Sequence, residues 1–199
     1  MTERRLVMFN QVTADGFFSD LEGRVDWVVP EPEVHRRAVA GMPGTDCMLF
    51  GRRTYQQFAS FWPRALQDLS LAGPHGETKT DPAFVAMARW LNDTRKIVFS
   101  RTLKSADWHN SELCAELDPR AIQALKRGPG NDLLIFGSGS LVSQLSEHGL
   151  IDEYRLVVSP LLLGRGCTLL GDMKTRVALR LDRAEPFASG TVMLTYTRA

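Results

Sequence analysis

The chain has 199 residues, enough for one domain with a substantial core or barely two. Its hydrophobic content of 44% and charged content of 24% are ordinary for a water-soluble globular protein. A net charge of +1 excludes a general affinity for nucleic acid or acidic membranes, so any anionic ligand must be held by a few placed residues.

Three cysteines (Cys47, Cys114, Cys167) stand far apart without CxxC spacing, which predicts reduced thiols in a cytoplasm. The N-terminus leads into an apolar stretch of about seven residues, too short for the apolar region of a signal peptide or for a membrane span. A soluble cytoplasmic protein is expected.

Leu6 to Val12 is β-rich and closes with a turn at Ala14-Asp15-Gly16. Glu31 to Ala40 suits a short helix, started by Pro30 and Pro32 and stopped at Gly41. Cys47 to Phe50 is a continuous apolar run, as in a strand buried on both faces. Arg52 to Phe61 carries an apolar stripe at Tyr55, Phe58 and Phe61, and ends at Trp62-Pro63. Residues 64–80 show no period and read as a loop. Asp81-Pro82 and Asp118-Pro119 are helix starts, with Asp as N-cap and Pro in the first helical position. Between those helices lies a short strand, Lys96 to Ser100. Asp132 to Phe136 is another buried strand, followed by a helix bearing Leu141, Val142 and Leu145 and stopped at Gly149. The acidic turn Asp152-Glu153 opens a strand ending at Ser159-Pro160. Two β segments, Thr168 to Leu181 and Thr191 to Thr197, finish the chain. This alternation predicts one α/β domain over residues 1–199, with a mostly parallel sheet flanked by helices and an antiparallel C-terminal edge.

Three strand ends carry phosphate-binding vocabulary. Gly51-Arg52-Arg53-Thr54 opens a helix, where free N–H groups and the positive end of the dipole suit a phosphate. A solvated basic turn capped by Thr54 explains the same residues. Ser100-Arg101-Thr102 follows a strand and suits the 2′-phosphate of NADP; an ordinary polar turn is the alternative. Gly137-Ser138-Gly139-Ser140 opens a further helix. It fails as a Rossmann fingerprint, because the third glycine would fall on Val142 and the acidic pair Asp152-Glu153 precedes a strand instead of following one. His35, His75, His109 and His148 lack metal-ligand spacing, and neither a nucleophile elbow nor HExxH is present. Trp27 and Trp62 suit either a pocket wall or the core.

The segment from Gly149 to Pro160, with Leu163-Gly164-Arg165-Gly166, resembles a signature of the dihydrofolate reductase-like family built around the C-terminal reductase domain of the riboflavin-biosynthesis deaminase/reductase. Gly51-Arg52-Arg53-Thr54-Tyr55, Ser100-Arg101, Gly137 to Ser140 and Thr13-Ala14-Asp15-Gly16 resemble that family's cofactor and substrate turns, in the same order. The resemblance implies a dihydrofolate reductase-like fold and an NADPH-dependent reductase of a small, cyclic substrate. It implies cofactor contacts from Gly51, Arg52, Arg53, Thr54, Ser100, Arg101, Gly137, Ser138, Gly139 and Ser140. Thr13 and Asp15 would sit beside the nicotinamide, with Asp15 or Asp26 as proton relay, and Phe17, Trp27 and Trp62 would line the substrate. A metal is not expected. A homodimer is expected from the apolar C-terminal segments. Phe17-Phe18 replace the basic residue that riboflavin-pathway enzymes carry after Asp-Gly, which speaks against a phosphoribosyl substrate. The acids Asp26, Glu31 and Glu33 offer no clear pteridine ligand, so folate is not established. The alternative is a dinucleotide- or ligand-binding protein that keeps the fold without turnover.

Overall fold

The computed structural model describes residues 3–29, 31–67 and 81–199. Pro30, His75 and most of the expected 64–80 loop lie outside the described residues. The chain runs β1 (Leu6–Thr13), β2 (Phe17–Ser19), α1 (Pro32–Gly41), β3 (Thr45–Gly51), α2 (Arg52–Phe61), α3 (Pro82–Asp93), β4 (Arg95–Phe99), β5 (Ser111–Cys114), α4 (Pro119–Arg127), β6 (Asp132–Phe136), α5 (Gly139–Glu147), β7 (Glu153–Ser159), β8 (Cys167–Thr168), β9 (Leu179–Pro186) and β10 (Val192–Arg198).

Eight strands form one sheet in the order β5-β4-β3-β6-β1-β7-β10-β9. The first six in that order are mutually parallel; β10 runs antiparallel to β7 and to β9. The α/β architecture with an antiparallel edge is as expected. One face of the sheet packs on α4 and α5 through Ile122, Leu141, Val142 and Leu145. The other packs on α2 and α3 through Tyr55, Phe84, Ala88 and Leu91. Burial on both faces explains why β3 and β6 read as unbroken apolar runs.

Local chemistry sets the helix starts. Asp81 and Asp118 accept hydrogen bonds from Ala83 N (2.8 Å) and Arg120 N (2.9 Å), and Glu31 caps α1 from just outside it. The acidic turn is structural. Asp152 accepts from Leu6 N and pairs with Lys126, both at 2.6 Å, and Glu153 pairs with Arg5 and Arg155.

One expectation needs correction. The segment from Thr168 to Leu181 is not one strand: β8 ends at Thr168 and β9 begins at Leu179, with turns between. β8 leaves the main sheet to pair with β2, itself too short to show an alternation. Trp62 packs in the core. Its ring is buried against Phe61, Phe58 and Phe84, with the Phe84 centroid at 5.7 Å.

Candidate functional site

The carboxyl ends of β1, β3, β4 and β6 fall on one edge of the sheet, so the four turns singled out in the sequence share that edge. From β3 the chain leaves through α2 and α3 toward β4. From β6 it leaves through α5 in the opposite direction, past β1, to β7. Neighbouring strands whose connections depart in opposite directions open a crevice above their carboxyl ends, where ligands of open α/β sheets bind. That crevice lies between Gly51 and Gly137.

The two turns are bonded to each other. Gly51 N donates to Ser138 Oγ (2.8 Å), Ser138 N donates to Thr54 Oγ1 (3.1 Å), and Ser138 Oγ donates to Phe136 O (3.0 Å). Gly137 and Ser138 both take positive φ, +53° and +59°. A Cβ on Gly137 would fall 2.7 Å from Thr54 Oγ1, and one on Gly139 would fall 2.7 Å from the Leu169 carbonyl. Both glycines are therefore demanded by the protein's own packing.

The consequence for chemistry lies in the helix ends. α1, α3 and α4 each begin at a carboxylate cap, whereas no side chain caps α2 or α5. These two N-termini meet at the crevice. They offer an anion backbone N–H groups and two dipole ends. Arg52, Arg53 and Ser140 are exposed beside them, while Thr54 is half-buried beneath the glycine turn.

At the end of β4, Ser100 Oγ accepts from Thr102 N (3.1 Å) and Leu103 N (3.0 Å), closing a turn that presents Arg101 to solvent. The guanidinium lies 3.1 Å from Glu116, with both side chains exposed.

At the end of β1, the buried Thr13 hydroxyl donates to Asp15 Oδ1 (2.5 Å) and accepts from Phe17 N (3.0 Å). Asp15 also accepts from Leu163 N (3.1 Å) and Gly164 N (2.7 Å), so it ties the β1 turn to the loop after β7. The Thr13 hydroxyl, then the Gly164 amide, hold its carboxyl below the usual range. Phe17 is half-buried on β2. Asp26 lies exposed in a turn before α1; the adjoining Trp27 is partly buried and its Nε1 is enclosed without a partner.

Sequence reasoning missed Asn10, only 4% exposed, whose side-chain amide donates to Gly137 O (3.3 Å) and braces the glycine turn from β1. A signal was present: Leu6, Met8 and Val12 alternate as an apolar stripe, and Asn10 interrupts it. A groove of about 660 Å³ lined by Thr45, Asp93, Arg95 and Glu112 lies at the opposite, amino-terminal edge of β3, β4 and β5 and shares none of these residues. Among the described residues, no group of acidic, histidine and cysteine side chains could hold a metal.

An α/β sheet of this order, with a phosphate-suited crevice at its switch point, defines a dihydrofolate reductase-like fold. A dihydrofolate reductase from Enterococcus faecalis, solved with NADP(H), superimposes with a TM-score of 0.62 at 13% identity, covering 99% of this chain and 98% of that one. A "putative riboflavin biosynthesis protein" from Shewanella sp. PV-4 superimposes with a TM-score of 0.72 at 22% identity, covering 98% and 99%. The model of the RibD C-terminal domain matches residues 4–193, and the chain belongs to that family. Among its relatives is the uncharacterized protein YyaP of Bacillus subtilis (strain 168), 28% identical over 98% of this chain and 96% of that protein.

Proposed function

We propose that the protein is an NADPH-dependent reductase of a small cyclic substrate with a C=N or C=O bond. The observation that carries this reading is the meeting of two uncapped helix N-termini, α2 and α5, at the switch point of the sheet. Membership of the RibD C-terminal domain family supports it.

A reduced nicotinamide would supply the hydride; the remaining tasks fall to this chain. Gly51, Arg52, Arg53 and Thr54, with Gly137, Ser138, Gly139 and Ser140, hold the pyrophosphate. Ser100 shapes the turn from which Arg101 reaches the 2′-phosphate. Thr13 and Asp15 anchor the loop beside the nicotinamide. The network that keeps Asp15 ionised suits it to positioning, which leaves Asp26 as the candidate proton relay. Phe17 and Trp27 line the substrate. Reduced thiols fit a cytoplasmic setting, and two copies pair as a homodimer.

No helix among the described residues is long and apolar enough to cross a membrane. The test is steady NADPH consumption with a panel of pteridines, pyrimidines and quinone-like rings. Turnover with one of them supports the enzyme. Tight NADPH binding with no turnover across the panel would favour a binding protein that keeps the fold.

A further inference from the structure

β1 carries a polar side chain where its apolar row should continue. Leu6, Met8 and Val12 are buried on the α4 and α5 face of the sheet, and Asn10, only 4% exposed, stands in line with them. Burying an amide among apolar side chains is unfavourable, and one bond at 3.3 Å to the Gly137 carbonyl offsets this only in part. Leucine at this position would suit the core better. The bond itself shows what the amide does instead.

It falls on one end of a peptide unit whose other end is also held. The Gly137 carbonyl accepts from Asn10 Nδ2, and the Ser138 N–H of the same peptide donates to Thr54 Oγ1 at 3.1 Å. The two residues flanking that peptide both have left-handed backbones, with φ +53° at Gly137 and +59° at Ser138. A non-glycine residue keeps such a conformation only where its surroundings over-determine it. Turning the released peptide over would swing the Gly137 carbonyl toward Thr54 and α2, the side on which an anion is to sit. Further on, Leu141 N (2.8 Å) and Val142 N (3.0 Å) close on the Ser138 carbonyl, so the α5 amides left for a ligand are those of Gly139 and Ser140. Their direction is set by the peptide before them.

We propose that Asn10 is a positioning residue of the nucleotide site. With Thr54 it clamps the Gly137–Ser138 peptide and so aims the Gly139 and Ser140 amides at the pyrophosphate. It acts through the turn and not by contact with the nucleotide. The role rests on the reading of this crevice as the seat of NADPH.

Isothermal titration of NADPH into the full chain, with thermal unfolding of the same samples, tests it. Asn10→Leu completes the apolar row and should match or exceed the wild-type midpoint, while NADPH affinity falls about three- to tenfold, the worth of one hydrogen bond. A side chain that served only the core would move the two together. Should that variant fail to fold, Asn10→Ala carries the same affinity test at a temperature well below its midpoint. In either variant the Ser138 amide should exchange faster with deuterium in the absence of nucleotide. Thr54→Val removes the other half of the clamp, so combining it with Asn10→Ala should lose less affinity than the product of the two single losses. Unchanged affinity or unchanged Ser138 exchange in a folded Asn10 variant, or losses that multiply, would each overturn the role. A wild type that binds no NADPH overturns the functional reading along with it, whereas a failure confined to the variants leaves that reading standing.

Discussion

At Arg101, charge and exposure point in different directions. The guanidinium is held by Glu116 in the free chain, but exposed ion pairs are worth at most about 1 kcal/mol and yield to a phosphate dianion. Arg101→Ala should therefore lower NADPH affinity about ten- to a hundredfold, for a loss of roughly 1.5–3 kcal/mol, and leave NADH nearly unchanged. Isothermal titration with both nucleotides checks this, and equal wild-type affinities would remove Arg101 from the site. In the proposed reductase the substrate side turns on Phe17, which brings an apolar ring and no cation. A desolvated phosphate or carboxylate without a cationic partner binds poorly, so neither dihydrofolate, with its glutamate carboxylates, nor the phosphorylated riboflavin precursor should be an efficient substrate. A kcat/KM above about 10⁴ M⁻¹s⁻¹ for either would contradict this.

At the scale of elements, the glycine turn before α5 is the part most exposed to substitution. Gly137→Ala would force a side chain onto φ +53° and against Thr54. The cost should be about 1–3 kcal/mol of stability, with weaker nucleotide binding besides; chemical denaturation and titration measure the two effects. The turn also shows what a sequence can and cannot disclose. Asp81-Pro82 and Asp118-Pro119 announced their helices because cap and first turn are neighbours in the chain. β3 and β6 were legible as apolar runs because both of their faces are buried. The bond between Gly51 and Ser138 was not legible, since it spans 87 positions and exists only through the pairing of β3 with β6. β5, with the half-polar sequence Ser-Glu-Leu-Cys, gave no alternation to read. Trp62 was ambiguous because a large apolar ring looks alike in a core and in a pocket. Asn10 was visible as a break in a stripe, but its partner was not.

For the molecule as a whole, two buried groups should shape stability above neutral pH, with opposite signs. Lys96 is fully buried. Its Nζ donates to the carbonyls of Asn92, Thr94 and His109 at 2.7–3.0 Å and sits 4.3 Å from the Trp108 ring centroid. These partners favour the ammonium, yet burial outweighs them and pulls its pKa from 10.5 to about 8. Between those values the unfolded chain holds the proton that the folded chain has released, so stability rises with pH. Burial pushes the Cys47 thiol the other way, from 9.0 to about 11. There the folded chain keeps a proton that the unfolded chain has lost, so stability falls across that window. The Cys114 thiol and the Tyr154 hydroxyl, both raised by burial, add to the fall. Stability should thus climb from about pH 8 to 9, flatten as the opposing slopes overlap, and decline once Lys96 is neutral in both states. Urea midpoints measured across this range check the shape. Lys96→Met should abolish the climb, and Cys47→Ala should extend it upward. A wild-type midpoint that falls steadily from pH 8 would mean that the Lys96 ammonium keeps its proton in the folded chain, held by its three carbonyls and the Trp108 ring.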